Sequence, residues 1–116
     1  MSDHERLNRP VIVLLPAEID MANAEDVGEQ LCAAFAPGVT VVIADLGSTV
    51  FCGTSGARQL VLARKRAVAS NCELRVVVSS AGVLRVLAIL GLDRDLEIYP
   101  DLAAALATDG QGYASG

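Results

Sequence analysis

Apolar and polar positions fall in blocks along the chain, and the period within each block changes. Val11 to Leu15 is an unbroken apolar run between Pro10 and Pro16. It is too short for a helix and suits a strand covered on both faces. From residue 24 the spacing becomes helical, because Ala24, Val27, Gly28, Leu31, Ala34 and Phe35 share one stripe and Pro37-Gly38 closes the segment. Asn23 precedes this helix where a capping side chain would accept from free N–H groups, and Glu25 and Asp26 suit the positive end of the dipole. Val39 to Leu46 is β-branched and apolar between Pro37-Gly38 and Gly47-Ser48, which predicts a central strand.

Phe51 to Gly56 reads as a small-residue turn leading into a second helix, roughly Ser55 to Ser70. Its apolar stripe is Ala57, Leu60, Val61 and Val68, with Arg58, Lys65 and Arg66 turned to solvent and Arg64 falling inside the stripe. Glu73 to Ser79 is the next strand. Ser79-Ser80 caps a third helix that ends at Gly91. In that helix Arg85 is the one polar residue among Val83, Leu84, Val86, Leu87, Ala88, Ile89 and Leu90, so it is either buried on two sides or docks a partner, a second copy included. Leu96 to Tyr99 is a short strand, and Asp101 opens a final Ala-rich helix to about Thr108. The alternation implies right-handed β-α-β crossovers and an α/β fold, with a mostly parallel or mixed sheet of four to five strands and about four helices. One domain over residues 10–108 is expected, with flexible residues 1–9 and a disordered tail over 109–116.

Composition narrows the function classes. With 53% hydrophobic but 3% aromatic residues, the core must be filled by Val, Leu, Ile and Ala. A chain of 116 residues holds one core and buries roughly two-thirds of its unfolded surface. A net charge of -5 argues against nucleic acid, whose phosphates require a concentrated cationic face. Cys32, Cys52 and Cys72 have no CxxC spacing and sit in apolar patterns, which fits a reducing cytoplasm. No apolar run approaches the ~20 residues of a membrane span, so direct insertion is not expected.

Catalysis, cofactor and metal have no support in the pattern. The sole histidine, His4, lies in the polar N-terminus, so Cys52 has no base and Glu18, Asp20 and Asp45 have no imidazole to complete a metal site. Gly53-Thr54-Ser55-Gly56 is too short for a phosphate-binding P-loop and lacks its lysine. The plain role of Thr54 and Ser55 is to cap the second helix. The chemical alternative is a switch. A phosphoryl group adds about -1.5 to -2 charge, and a helix N-terminus tolerates it without unfolding.

Three segments together resemble the STAS family. Asp45-Leu46-Gly47-Ser48-Thr49-Val50-Phe51-Cys52-Gly53-Thr54-Ser55-Gly56 is similar to its signature, a strand ending in Asp-Leu, an aromatic, then Asp-Ser-Ser-Gly or Asp-Ser-Thr-Gly opening a helix. Glu18-Ile19-Asp20 with Asn23 is similar to its Gly-Glu-Leu-Asp, and Arg85 to Asp93 to its helix closing with Gly-Leu-Asp. The resemblance implies an anti-sigma factor antagonist. Its partner would be an anti-sigma factor with a histidine-kinase-like ATPase fold, and the phosphorylated position Ser55, with Thr54 second. The implied partner surface is Asp20, Asn23, Gly53, Thr54, Ser55, Gly56, Arg58, Val83, Leu84 and Leu87, with homodimerisation through the third helix as a further expectation. Gly53 stands where the family usually has Asp, and Pro16-Ala17 replaces the small residue or Gly before the Glu. Constitutive binding of the partner is therefore a second reading. An accessory subunit of a lipid or anion transporter and a nucleotide-sensing module are the alternatives.

Overall fold

The apolar blocks become strands and helices in the expected order, with ends shifted by a few residues. The computed structural model describes residues 10–107, so residues 1–9 and the tail 109–116, for which flexibility and disorder are expected, lie outside the described residues, as does Thr108. In chain order the elements are β1 (Val11–Leu14), β2 (Glu18–Ile19), α1 (Ala24–Ala34), β3 (Val41–Leu46), β4 (Phe51–Cys52), α2 (Thr54–Ala69), β5 (Glu73–Val78), α3 (Ala81–Ile89) and β6 (Glu97–Tyr99). A last helix, α4, covers 102–107. The main sheet is parallel throughout in the order β1-β3-β5-β6, and β2 pairs with β4 in a separate parallel ribbon.

Burial explains the composition of the strands. On one face of the sheet Val42, Ala44, Leu46, Leu74, Val76 and Val78 pack under α1, α2 and α3 through Val27, Leu31, Leu60 and Leu87. On the other face Val41, Ile43 and Val77 pack under Ala105 and Leu102 of α4. β3 and β5 are covered on both sides, which is why they read as continuous Val and Ile runs. β1 departs from the expectation of two covered faces. It is an edge strand beyond the reach of α4, so Val11 and Val13 are half-buried while Ile12 and Leu14 are 44% and 65% exposed.

The buried stripe of α2 is Gly56, Ala57, Leu60, Ala63 and Ala67, whereas Val68 is 67% exposed. The small side chains of Ala63 and Ala67 let the helix lie close to the sheet, a contact that hydrophobicity alone assigns wrongly to Val68. Rotating the stripe this way also resolves Arg64, which is exposed on its flank beside Glu73 and Asp95. α3 ends in a left-handed residue, Gly91 at φ 76, and Leu92 N–H donates back to Leu87 O at 2.8 Å. Arg75 is buried on the α4 face. It bonds Glu73 through Nε at 2.9 Å and donates from a terminal nitrogen to Ala105 O at 2.8 Å, which ties α4 to the sheet.

Candidate functional site

The loops that leave β1 and β3 at their C-terminal ends are zipped together, and this carries α2 into position. Leu15 N–H donates to Asp45 O at 3.0 Å, Val50 N–H to Ala17 O at 2.8 Å and Gly53 N–H to Ile19 O at 2.9 Å. Thr49 is buried in the seam, its hydroxyl donating to Pro16 O at 2.8 Å. Asp45 accepts from Gly47 N–H at 2.8 Å, and Ser79 donates to Gly47 O at 3.0 Å, so β3 and β5 share the support of one loop. The β2–β4 ribbon is the product of this zipper. Two-residue strands carry no periodic signal, and β4 accordingly falls within the segment that the sequence pattern reads as a turn, Phe51 to Gly56.

Asn23 does not cap α1. Its amide nitrogen donates to Glu18 O at 2.8 Å and its Oδ1 accepts from Asp20 N–H at 2.9 Å, so the side chain braces the β2–α1 turn from outside the helix. The Asp20 carboxylate accepts from Ala22 N–H at 2.9 Å in the same turn. Both residues therefore shape the loop that flanks Gly53. Ser80 does cap α3, accepting from Val83 N–H at 3.3 Å.

At the start of α2 the capping position falls to Gly53, which has no side chain to offer, and neither Thr54 nor Ser55 caps the helix. Gly56 and Ala57 N–H groups donate to Gly53 O, both at 3.0 Å, while the first turn contains no carboxylate. Thr54 is exposed and Ser55 half-buried, so a hydroxyl pair stands at a helix N-terminus in reach of solvent. The expectation that these hydroxyls serve as caps is thus corrected. Gly53 is extended and its Cβ position has ordinary contact, 3.6 Å from the Phe51 ring, so the backbone would accept the family's aspartate. Gly56 has no such room. A Cβ there would sit 2.6 Å from Ile19 Cγ2 and 2.8 Å from Cys52 Sγ.

Exposed apolar side chains lie on the zipped segments that adjoin the turn. Met21, Val50 and Phe51 are 87%, 66% and 51% exposed, and none of them stands out in a hydropathy pattern because each lies in a loop or a two-residue strand, too short to show a period. α3 packs beside β4 and extends the surface. Of the three α3 residues expected to touch a partner, Val83 and Leu87 are buried and anchor the helix to the core. Leu84 faces outward with Ile89 and Leu90. The all-apolar helix therefore resolves into a narrow buried stripe and an exposed apolar face. Leu84 also lines a groove of about 370 Å³ with Val78, Ser79, Ile98, Tyr99 and Pro100. Arg58 is exposed one turn into α2.

Cys52 lies beneath the turn and burial pushes its thiol up, which keeps it protonated and poorly nucleophilic. Among the described residues no three His, Cys, Asp or Glu side chains converge as metal ligands, and no helix is long and apolar enough to cross a membrane.

The chain is similar in structure to an anti-sigma factor antagonist from Mycobacterium paratuberculosis, with TM-score 0.78 and 25% identity over 87% of this chain and 86% of that one. An anti-sigma-factor antagonist (STAS) domain protein from Planctomyces limnophilus matches with TM-score 0.73 and 22% identity over 84% and 86%. A sulfate transporter family protein from Wolinella succinogenes matches with TM-score 0.74 and 14% identity over 84% and 82%. No curated protein matches the chain in sequence. The STAS domain model matches residues 2–105, nearly the whole chain, and with the parallel sheet and the turn opening α2 it makes this chain a member of the STAS domain family.

Proposed function

We propose that this chain is a cytoplasmic anti-sigma factor antagonist that acts by docking, without catalysis of its own, onto an anti-sigma factor with a histidine-kinase-like ATPase fold. The observation that carries the reading is the uncapped start of α2, where exposed Thr54 and half-buried Ser55 adjoin the β2 and β4 segments that carry the exposed apolar Met21, Val50 and Phe51. Asp20, Asn23 and Gly53 shape the rim of this surface, Gly56 holds it down from beneath, and Arg58 and Leu84 extend it. Phosphorylation at Ser55, or at the more exposed Thr54, switches it. The phosphoryl charge suits the helix dipole while reversing the character of an apolar docking face. Structural similarity to proteins described as anti-sigma factor antagonists supports the same reading.

The test is binding of the purified partner to Ser55→Asp and Thr54→Asp variants by calorimetry, with circular dichroism as the control for folding. At least one variant is expected to weaken binding about tenfold or more, and parental affinity in both would overturn the switch. Intact mass of the chain from its native host, before and after phosphatase, assigns the modified hydroxyl. Constitutive binding predicts no phosphatase-sensitive mass and a gain of phosphorylation in Gly53→Asp. The second reading, an accessory subunit of a transporter, is favoured by the likeness to the Wolinella protein. It predicts co-purification with a membrane ATPase and no association with a soluble kinase. The exposed face of α3 belongs to the partner in this proposal. Self-association through it is the other occupant, and it would be abolished by Ile89→Glu.

A further inference from the structure

Two of the helices on one face of the sheet, α1 and α2, carry opposite charge. α1 contains Glu25, Asp26 and Glu29 and no base, whereas α2 contains Arg58, Arg64, Lys65 and Arg66 and no acid. They pack side by side, close enough that a Cβ on Gly28 would collide with the Gln59 carboxamide. Between them lies an open groove of about 430 Å³ lined by Glu25, Gly28, Glu29, Cys32, Gln59 and Leu62. Leu62 is 39% exposed there, Glu25 and Glu29 are exposed on the α1 wall, and Arg58 is exposed on α2 next to Gln59. The described side-chain ion pair of this chain is Arg75 with Glu73, on the other side of the sheet, so these charges do not neutralise one another across the groove.

We infer that the α1–α2 layer is a self-association surface whose occupant is a second copy of this chain, related by a two-fold axis running along the groove. Such an axis lays α1 of each copy over α2 of the other. Both helices connect parallel strands and so run in the same direction, which brings Glu25 and Glu29 of one copy level with Arg58 of its mate. Leu62 lies near the axis and meets its own equivalent. A surface that is acidic on one side and basic on the other is complementary to itself under this operation, as an isologous interface requires. A partner of a single charge would match one helix and be repelled by the other. The pairing is a contact effect, because the chain as a whole carries -5 and two copies repel at a distance. Helices of 11 and 16 residues give a footprint on the order of 20 Å by 20 Å. That is the small end of specific interfaces, and the association is weak, micromolar or above.

Sedimentation equilibrium of the chain alone, from micromolar to millimolar concentration, tests this without reference to any anti-sigma partner. The parent is expected to form a dimer, and Leu62→Glu to raise its dissociation constant about tenfold or more. Arg58→Glu and Glu29→Arg should each weaken it comparably, while the double variant returns to within about threefold of the parent. Circular dichroism checks the fold of each variant. A parent that stays monomeric at every concentration overturns the inference. So does a dimer indifferent to Leu62→Glu and to the charge swap, including one dissolved only by Ile89→Glu, which would assign the contact to α3.

Discussion

Two glycines three residues apart do different work at the start of α2. Gly53 has an ordinary backbone conformation and room for a Cβ, so Gly53→Asp is expected to fold with a change in stability within about 0.5 kcal/mol. Gly56 lies against Ile19 and Cys52 with no space for a methyl group, and neither neighbour is a flexible side-chain end that can swing away. Gly56→Ala should therefore cost about 1–3 kcal/mol, read as a lower urea midpoint. Thr49 makes a similar point about a polar group. Its buried hydroxyl satisfies Pro16 O, and Thr49→Val should lower stability by about 1 kcal/mol while keeping side-chain shape. Wild-type stability in that variant would mean that the seam between the two loops is held by its backbone bonds alone.

Among the elements, α4 depends most on a single side chain. Arg75 is buried at the α4 face of the sheet, held by Glu73, and donates to Ala105 O in the last described turn of the helix. Arg75→Met should remove hydrogen-exchange protection from α4 amides and cost about 1.5–3 kcal/mol. Protection equal to that of the parent would show that Ala105 and Leu102 packing suffices. Glu97, opposite Arg75 in the β5–β6 register, has its carboxyl raised first by partial removal from water and then by the hydrogen bond and charge of Glu73. Tyr99, whose hydroxyl donates to it at 3.1 Å, and Arg75 pull the other way. The folded chain thus keeps this proton to higher pH than the unfolded chain does. Stability falls as pH rises from the ordinary carboxylate range through the raised value, and the loss persists above it. Glu97→Gln should flatten that slope and raise the melting temperature near neutral pH, and an unchanged pH profile would rule out this source.

Over the whole molecule, the surfaces separate by end and by face. The turn, α3 and their exposed apolar residues occupy the rim where the parallel strands end, while the charge-divided α1–α2 layer covers one side of the sheet. The main elements were legible in the amino-acid sequence because their apolar spacing follows directly from strand and helix geometry, and because β3 and β5 are hydrophobic enough to require cover on both faces. The Gly53-Thr54-Ser55-Gly56 turn was legible for a different reason: small and hydroxyl-bearing residues have few other uses before an apolar-periodic segment. Long-range contact decided the rest. β2 and β4 exist because the loops at Pro16 and Thr49 meet across 33 residues of chain. β1 is half-open because α4 reaches Val41, Ile43 and Val77 and stops short of Ile12 and Leu14. Asn23 spends its side chain on Glu18 and Asp20, and capping by Thr54 and Ser55 is lost because the helix begins one residue earlier than expected, at Thr54, which leaves the capping position to Gly53. Composition and period are local properties that a sequence carries by itself, whereas the accessibility of a hydroxyl or the side of a helix that meets solvent is settled only when distant segments pack.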